Sequence, residues 1–179
     1  MRFSLLLLPA VVCTALHAQT STHAAVSPNL SDPEVAHVAV TANAIDIELA
    51  RYAQTRARST DVRQFAATMI TDHTAVNQQA AALAGRLGVT PVDNGVSKSL
   101  QAGAAKARAD LEQVTRQAFD RAYMDREIAY HQAVLDAIDG LLIPTTENAD
   151  LKQLLTDVRP AVAMHLEHAK QIRSRLDAK

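Results

Sequence analysis

Apolar residues recur every four and three positions along four stretches of this chain, the spacing that lays a stripe down one side of an α-helix. The first stretch carries Val35, Val38, Ala42, Ile45, Leu49 and Tyr52. The second carries Val62, Ala66, Met69, His73, Val76, Ala80, Leu83 and Leu87. The third reads Met124, Ile128, His131, Leu135, Ile138 and Leu142, and the fourth Leu151, Leu155, Val158, Val162, His165, Ala169, Ile172 and Leu176. Each of the last three stripes gives one core-facing position to a histidine.

Turn residues divide these stretches. Asp32-Pro33-Glu34 reads as a helix start, with Asp32 as the capping acceptor, proline in the first turn and an acid facing the helix dipole. Ser59-Thr60-Asp61 separates the first helix from the second, which stops at Gly88, so these two form an antiparallel hairpin. Residues 89–97, with Pro91 and Gly95, read as loop, and 98–108 as a short helix within a long connection. The third helix is expected over 115–142, with Ile143-Pro144-Thr145-Thr146 breaking it. The fourth follows over 148–176, kinked at Pro160. Together they predict an all-α fold over residues 32–177: a ferritin-like four-helix bundle with a short extra helix in the long connection between its second and third helices.

The start of the chain is different. Arg2, the apolar run 3–12 and Cys13-Thr14-Ala15-Leu16-His17-Ala18 match a secretory signal peptide over 1–18, cut after Ala18. That run is too short to span a membrane. Residues 19–31 read as a polar, disordered lead, and the expected location is the periplasm. Cys13 is the chain's one cysteine, so the processed protein would have neither disulfide nor thiolate ligand. A net charge of −1, without clustered lysine or arginine, gives no surface for nucleic acid.

The three stripe histidines carry the chemistry. His73 lies about fifteen residues from the first interhelical turn, roughly 22 Å at 1.5 Å per residue. His131 lies about as far from the last turn, and His165 falls near the level of Glu127. Glu127 and His131 are four apart and point the same way, while Asp46 falls opposite the turn that holds His73. Asp46, His73, Glu127, His131 and His165 are therefore candidate ligands of one transition metal ion, with Glu48 an alternative to Asp46. The metal would be iron, zinc or copper. Met69, Met124 and Met164 near the histidines would favour copper, although methionine is also ordinary core filler. The Glu-x-x-His motifs of di-iron bundles are absent, which argues against an oxidase. The competing reading is a metal-free buried network, for instance His73 with Asp46 and His131 with Glu127, in a structural or stress-related envelope module. His168, His37 and His23 read as surface residues. Asp120, Tyr123 and Tyr130 read as packing residues or cross-bundle hydrogen-bonders.

Asn43-Ala44-Ile45-Asp46-Ile47-Glu48-Leu49-Ala50-Arg51-Tyr52-Ala53, Val62-Arg63-Gln64-Phe65-Ala66 and Met69-Ile70-Thr71-Asp72-His73 resemble the exported bacterial proteins grouped as domain of unknown function 4142. Phe119-Asp120-Arg121-Ala122-Tyr123 leading to His131, and Pro160 followed by His165-Leu166, resemble that family's second half. The likeness spans about residues 33–172. It implies a ferritin-like helical fold and an envelope location, and no established reaction. It also implies a glutamate where this chain has Asp46, one methylene shorter. The leading expectation is an exported metal-binding bundle serving storage, sensing or buffering, with no membrane span and no nucleic-acid partner.

Overall fold

The computed structural model describes residues 29–178. Those residues form α1 (Asp32–Arg56), α2 (Thr60–Leu87), α3 (Gly95–Gln113), α4 (Phe119–Ala137), α5 (Ile143–Thr145) and α6 (Ala149–Asp177), with a π-helical stretch at Ile138–Leu142 between α4 and α5. The expected signal peptide and most of the polar lead lie outside the described residues. No described helix is long and apolar enough to cross a membrane.

Caps and turns fix the topology. Ser31, not Asp32, caps α1: the Glu34 carboxylate accepts from both the Ser31 amide and its hydroxyl, at 2.9 and 2.7 Å. Asp32 is displaced into the first turn because its carboxylate is used elsewhere, accepting from the amides of Glu147 and Asn148 at 2.9 Å each. This ties the start of α1 to the start of α6. At the other end, Asp120 accepts from the amides of Arg58 and Ser59 at 3.0 and 2.7 Å, which pins the start of α4 to the α1–α2 turn.

The long connection is more helical than the sequence pattern suggests, since α3 runs over 19 residues. The Asn94 side chain starts it by accepting from the amides of Val96 and Ser97. The Asn94 amide group donates to the Glu34 carbonyl near the start of α1, and Arg56 at the far end of α1 donates to the Val114 carbonyl. Thus α3 runs parallel to α1 and returns the chain to the α1–α2 turn. In consequence α2 and α4 are parallel to each other, and α6 is parallel to α1. The result is a four-helix bundle of α1, α2, α4 and α6 with one crossover. Helix α4 begins at Phe119 rather than Thr115, because Thr115–Ala118 forms a separate turn closed by the Ala118 amide on the Thr115 carbonyl. Pro160 lies within α6, on its exposed side.

Candidate metal centre

The stripe positions meet halfway along the bundle. Asp46 and Glu127 are fully buried, and His131, His73 and His165 are 1%, 6% and 7% exposed. One side chain comes from α1, one from α2, two from α4 and one from α6. The three imidazoles form a nearly equilateral triangle, with ring centres 5.4 Å (His73–His165), 5.5 Å (His131–His165) and 5.8 Å (His73–His131) apart.

Each ring commits one nitrogen to an outer acceptor. His73 Nδ1 donates to Asn43 Oδ1 at 2.6 Å, His131 Nδ1 to the Glu127 carbonyl at 3.0 Å, and His165 Nε2 to Asp72 Oδ2 at 3.0 Å. A neutral imidazole has only one N–H, so the other nitrogen carries a lone pair. Those three nitrogens are His73 Nε2, His131 Nε2 and His165 Nδ1. All are buried and find no hydrogen-bond partner among the described residues. Asp46 Oδ2 stands 2.8 Å from His73 Nε2 and 3.4 Å from His131 Nε2, so it accepts from His73 whenever that nitrogen carries the proton. Electron-pair donors packed this closely repel one another unless a proton or cation lies between them.

Burial disfavours the charged form of two of the rings. Burial pushes His131 down to about 4, against the pull of Asp46, and burial also lowers His165. Burial alone would raise Asp46, but His73, His131 and Arg126 outweigh it and hold the carboxyl below its ordinary range. Glu127 moves the opposite way: burial, then the neighbouring Asp46 charge, push it well above the usual carboxylate range. Arg126 moderates this, its Nη1 donating to Glu127 Oε1 at 3.0 Å while its guanidinium stacks 4.5 Å above the Tyr130 ring.

Two sets of side chains can bring ligand atoms within 4.8 Å of one another: His73, His131 and His165, and Asp46, Glu127 and His131. Zinc held at 2.0–2.1 Å in a tetrahedron sets neighbouring donors roughly 3.3 Å apart. The 3.4 Å between His131 and Asp46 matches that edge, and the 2.8 Å between His73 and Asp46 is about half an ångström short of it. The two sets share His131, and either one, three imidazoles or two carboxylates with an imidazole, suits zinc, copper or iron.

The family model described as domain of unknown function (DUF4142) matches residues 17–172. The chain belongs to the DUF4142 family. A solved structure, described as a DUF305 fragment from Deinococcus radiodurans, is similar with a TM-score of 0.68 at 17% identity, covering 83% of this chain and 99% of that one. At that identity the likeness shows the helical-bundle fold. No curated protein matches.

In this DUF4142 chain the helix α1 carboxylate at the centre is Asp46, since Glu48 is exposed. His168 is also exposed, set edge-on to Phe65 with ring centres 5.5 Å apart. His37, expected at the surface, is half-buried beside Thr41. Met69 and Met124 are buried core residues, whereas Met164 is 65% exposed, so the methionines do not form a ligand group. Tyr130 bonds across the bundle to the Ala42 carbonyl at 2.8 Å. Sequence reasoning missed Asn43, Asp72 and Arg126. Asn43 was the most findable, three positions before Asp46 and so on the same helix face. Asp72 sits one residue off a stripe and Arg126 two, where a charged residue ordinarily reads as solvated.

Proposed function

We propose that this protein is an exported helical bundle that binds one divalent transition-metal ion. The ligands are His73 Nε2, His131 Nε2, His165 Nδ1 and Asp46, and Glu127 is an adjacent carboxylate that can join them. One observation carries this reading. Three rings on three helices each turn an N–H outward to a fixed acceptor and a lone pair inward. Outer acceptors of this kind fix the tautomer and ring orientation of metal-bound histidines. The role of such a site is to hold or buffer the ion. Export rests on the signal-peptide pattern of residues 1–18.

A second reading, a metal-free polar network, draws on the same bonds from His73 to Asn43 and from His165 to Asp72. Even with His73 paired to Asp46, it leaves His131 Nε2 and His165 Nδ1 without hydrogen-bond partners, which is why we place it second. Titration of chelator-treated protein with zinc, copper(II) and iron(II), followed by calorimetry and elemental analysis, distinguishes the two. The metal reading expects one ion per chain and a raised melting temperature. Failure of all three ions to bind would leave the polar network. Mass spectrometry of the exported product tests the signal peptide, with a start at or near Gln19 expected.

A further inference from the structure

Beside the histidine triangle, α2 and α6 part to form a cleft of about 400 Å³. Void spaces in folded cores seldom exceed a water molecule, and 400 Å³ lies within the range of small-molecule sites. Ala80 and Ala84 on α2 and Val158 and Ala161 on α6 line the cleft. The polar wall residues are unevenly placed. Asn43, Asp72, His73, Asn77 and His165 are gathered at one end, and toward Leu87 the walls are aliphatic until Asp32 and Asn148 near the rim. Asn77 Oδ1 on that wall is buried and has no hydrogen-bond partner among the described residues. The cleft thus has a polar floor, formed in part by the candidate metal ligands, beneath an apolar shaft.

Charge narrows the choice of occupant. Asp46, Glu127 and Arg126 are the charged side chains buried at the centre; they sum to −1 with all three ionised and to zero when Glu127 keeps its proton. A divalent ion leaves the centre positive in either case, which an anionic head group offsets and a neutral one does not. Asp72 lies outside that count because its side chain is 46% exposed and screened by water. From Asn77 to Leu87 the shaft follows ten residues of helix, roughly 15 Å. A staggered chain of ~1.5 Å carbon–carbon bonds advances ~1.3 Å per bond, so about ten carbons fit that length.

We propose that this cleft binds a medium-chain aliphatic carboxylic acid, with the carboxylate on the metal ion beside His73 and His165 and the chain lying between α2 and α6. The proposal rests on the metal reading above. Cobalt(II) serves as the ion, since its visible spectrum reports its ligands, and decanoate, acetate and 1-decanol serve as the ligands. Each buried methylene is worth about fourfold in affinity. Decanoate should therefore change the cobalt spectrum at a concentration at least ~10-fold below acetate, and 1-decanol should bind more weakly than decanoate. Ala80→Phe and, separately, Val158→Phe fill the shaft from opposite walls. Each should retain the cobalt spectrum while decanoate falls to the level of acetate.

Equal effects of decanoate and acetate on the parent protein would overturn the proposal. So would decanoate binding that leaves the spectrum unchanged, or that survives both substitutions. Self-association abolished by Ala80→Phe, with decanoate inert, would assign the cleft to a second copy of the chain and also overturn it. Absence of any cobalt spectrum would overturn the metal reading together with this one, whereas a bound cobalt insensitive to decanoate overturns this one alone.

Discussion

The bundle interior has two unlike halves, divided by the histidine triangle. Toward the α1–α2 turn, Phe65, Phe119, Tyr123, Met69 and Met124 are fully buried with Leu49 and Ala53. Phe119 stacks on Tyr123, and Tyr52 and Phe65 meet the same pair edge-on. All described phenylalanines and tyrosines lie in this half or against it. The opposite half is built from Leu30, Val35, Leu83, Leu142, Leu151 and Leu155, without an aromatic ring, and it contains the cleft. One half therefore packs densely against the buried cluster and the other leaves a cleft beside it.

Substitutions that treat the halves alike should expose their difference. Phe65→Ala removes a fully buried ring from the dense half and should cost about 3–5 kcal/mol in denaturant unfolding. Leu154→Ala, on the half-exposed cleft wall, should cost about 1 kcal/mol or less. Equal losses would mean that the two halves are equally well packed.

The centre itself should respond to pH. His131 titrates near 4 in the folded chain and near 6.5 when unfolded, so the unfolded chain takes up the proton first as pH falls. Its contribution to stability is complete above pH 6.5 and is lost progressively down to about 4. Glu127 acts in the opposite sense, because its raised carboxyl is protonated first in the folded state. In metal-free Glu127→Gln protein, stability should fall between pH 6.5 and about 4 by something on the order of 3 kcal/mol. The parent should show a shallower slope over the same window. Identical slopes, measured by urea titration at each pH, would remove Glu127 from the coupled group.

Two smaller effects sharpen the picture. Asp120→Ala strands the amides of Arg58 and Ser59 and should cost roughly 1–3 kcal/mol, with the cobalt spectrum of the metal-loaded protein unchanged. Asp72→Asn keeps an acceptor for His165 but removes its charge. Metal affinity should drop about tenfold by calorimetry while the apo melting temperature barely moves. An unchanged affinity would make Asp72 a surface residue with no influence on the ion.

The helices were legible in the sequence because burial requires the four-three spacing, and the buried faces follow it closely. Asp46, His73, Glu127, His131 and His165 were brought to one level by counting from the turns, which works because the rise per residue is nearly constant. Other features depend on how neighbouring helices are rotated, and no single stretch encodes that. The bonds from His73 to Asn43 and from His165 to Asp72 are of this kind, linking residues 30 and 93 positions apart. The extent of α3 was underestimated because Gly95 and Gly103 weaken its local signal, and packing along α1 compensates. The π-helical stretch at Ile138–Leu142 was not legible either, since its residues continue the ordinary apolar stripe.

The centre draws Asp46 from α1 and His165 from α6, which are far apart along the chain. The hairpins α1–α2 and α4–α6 close short loops and are suited to form early, whereas the centre requires the crossover and both hairpins together. An ion would then arrive after the folding barrier has been crossed. It should leave the refolding rate nearly unchanged and slow unfolding instead, so that its benefit to the protein is measured as lifetime.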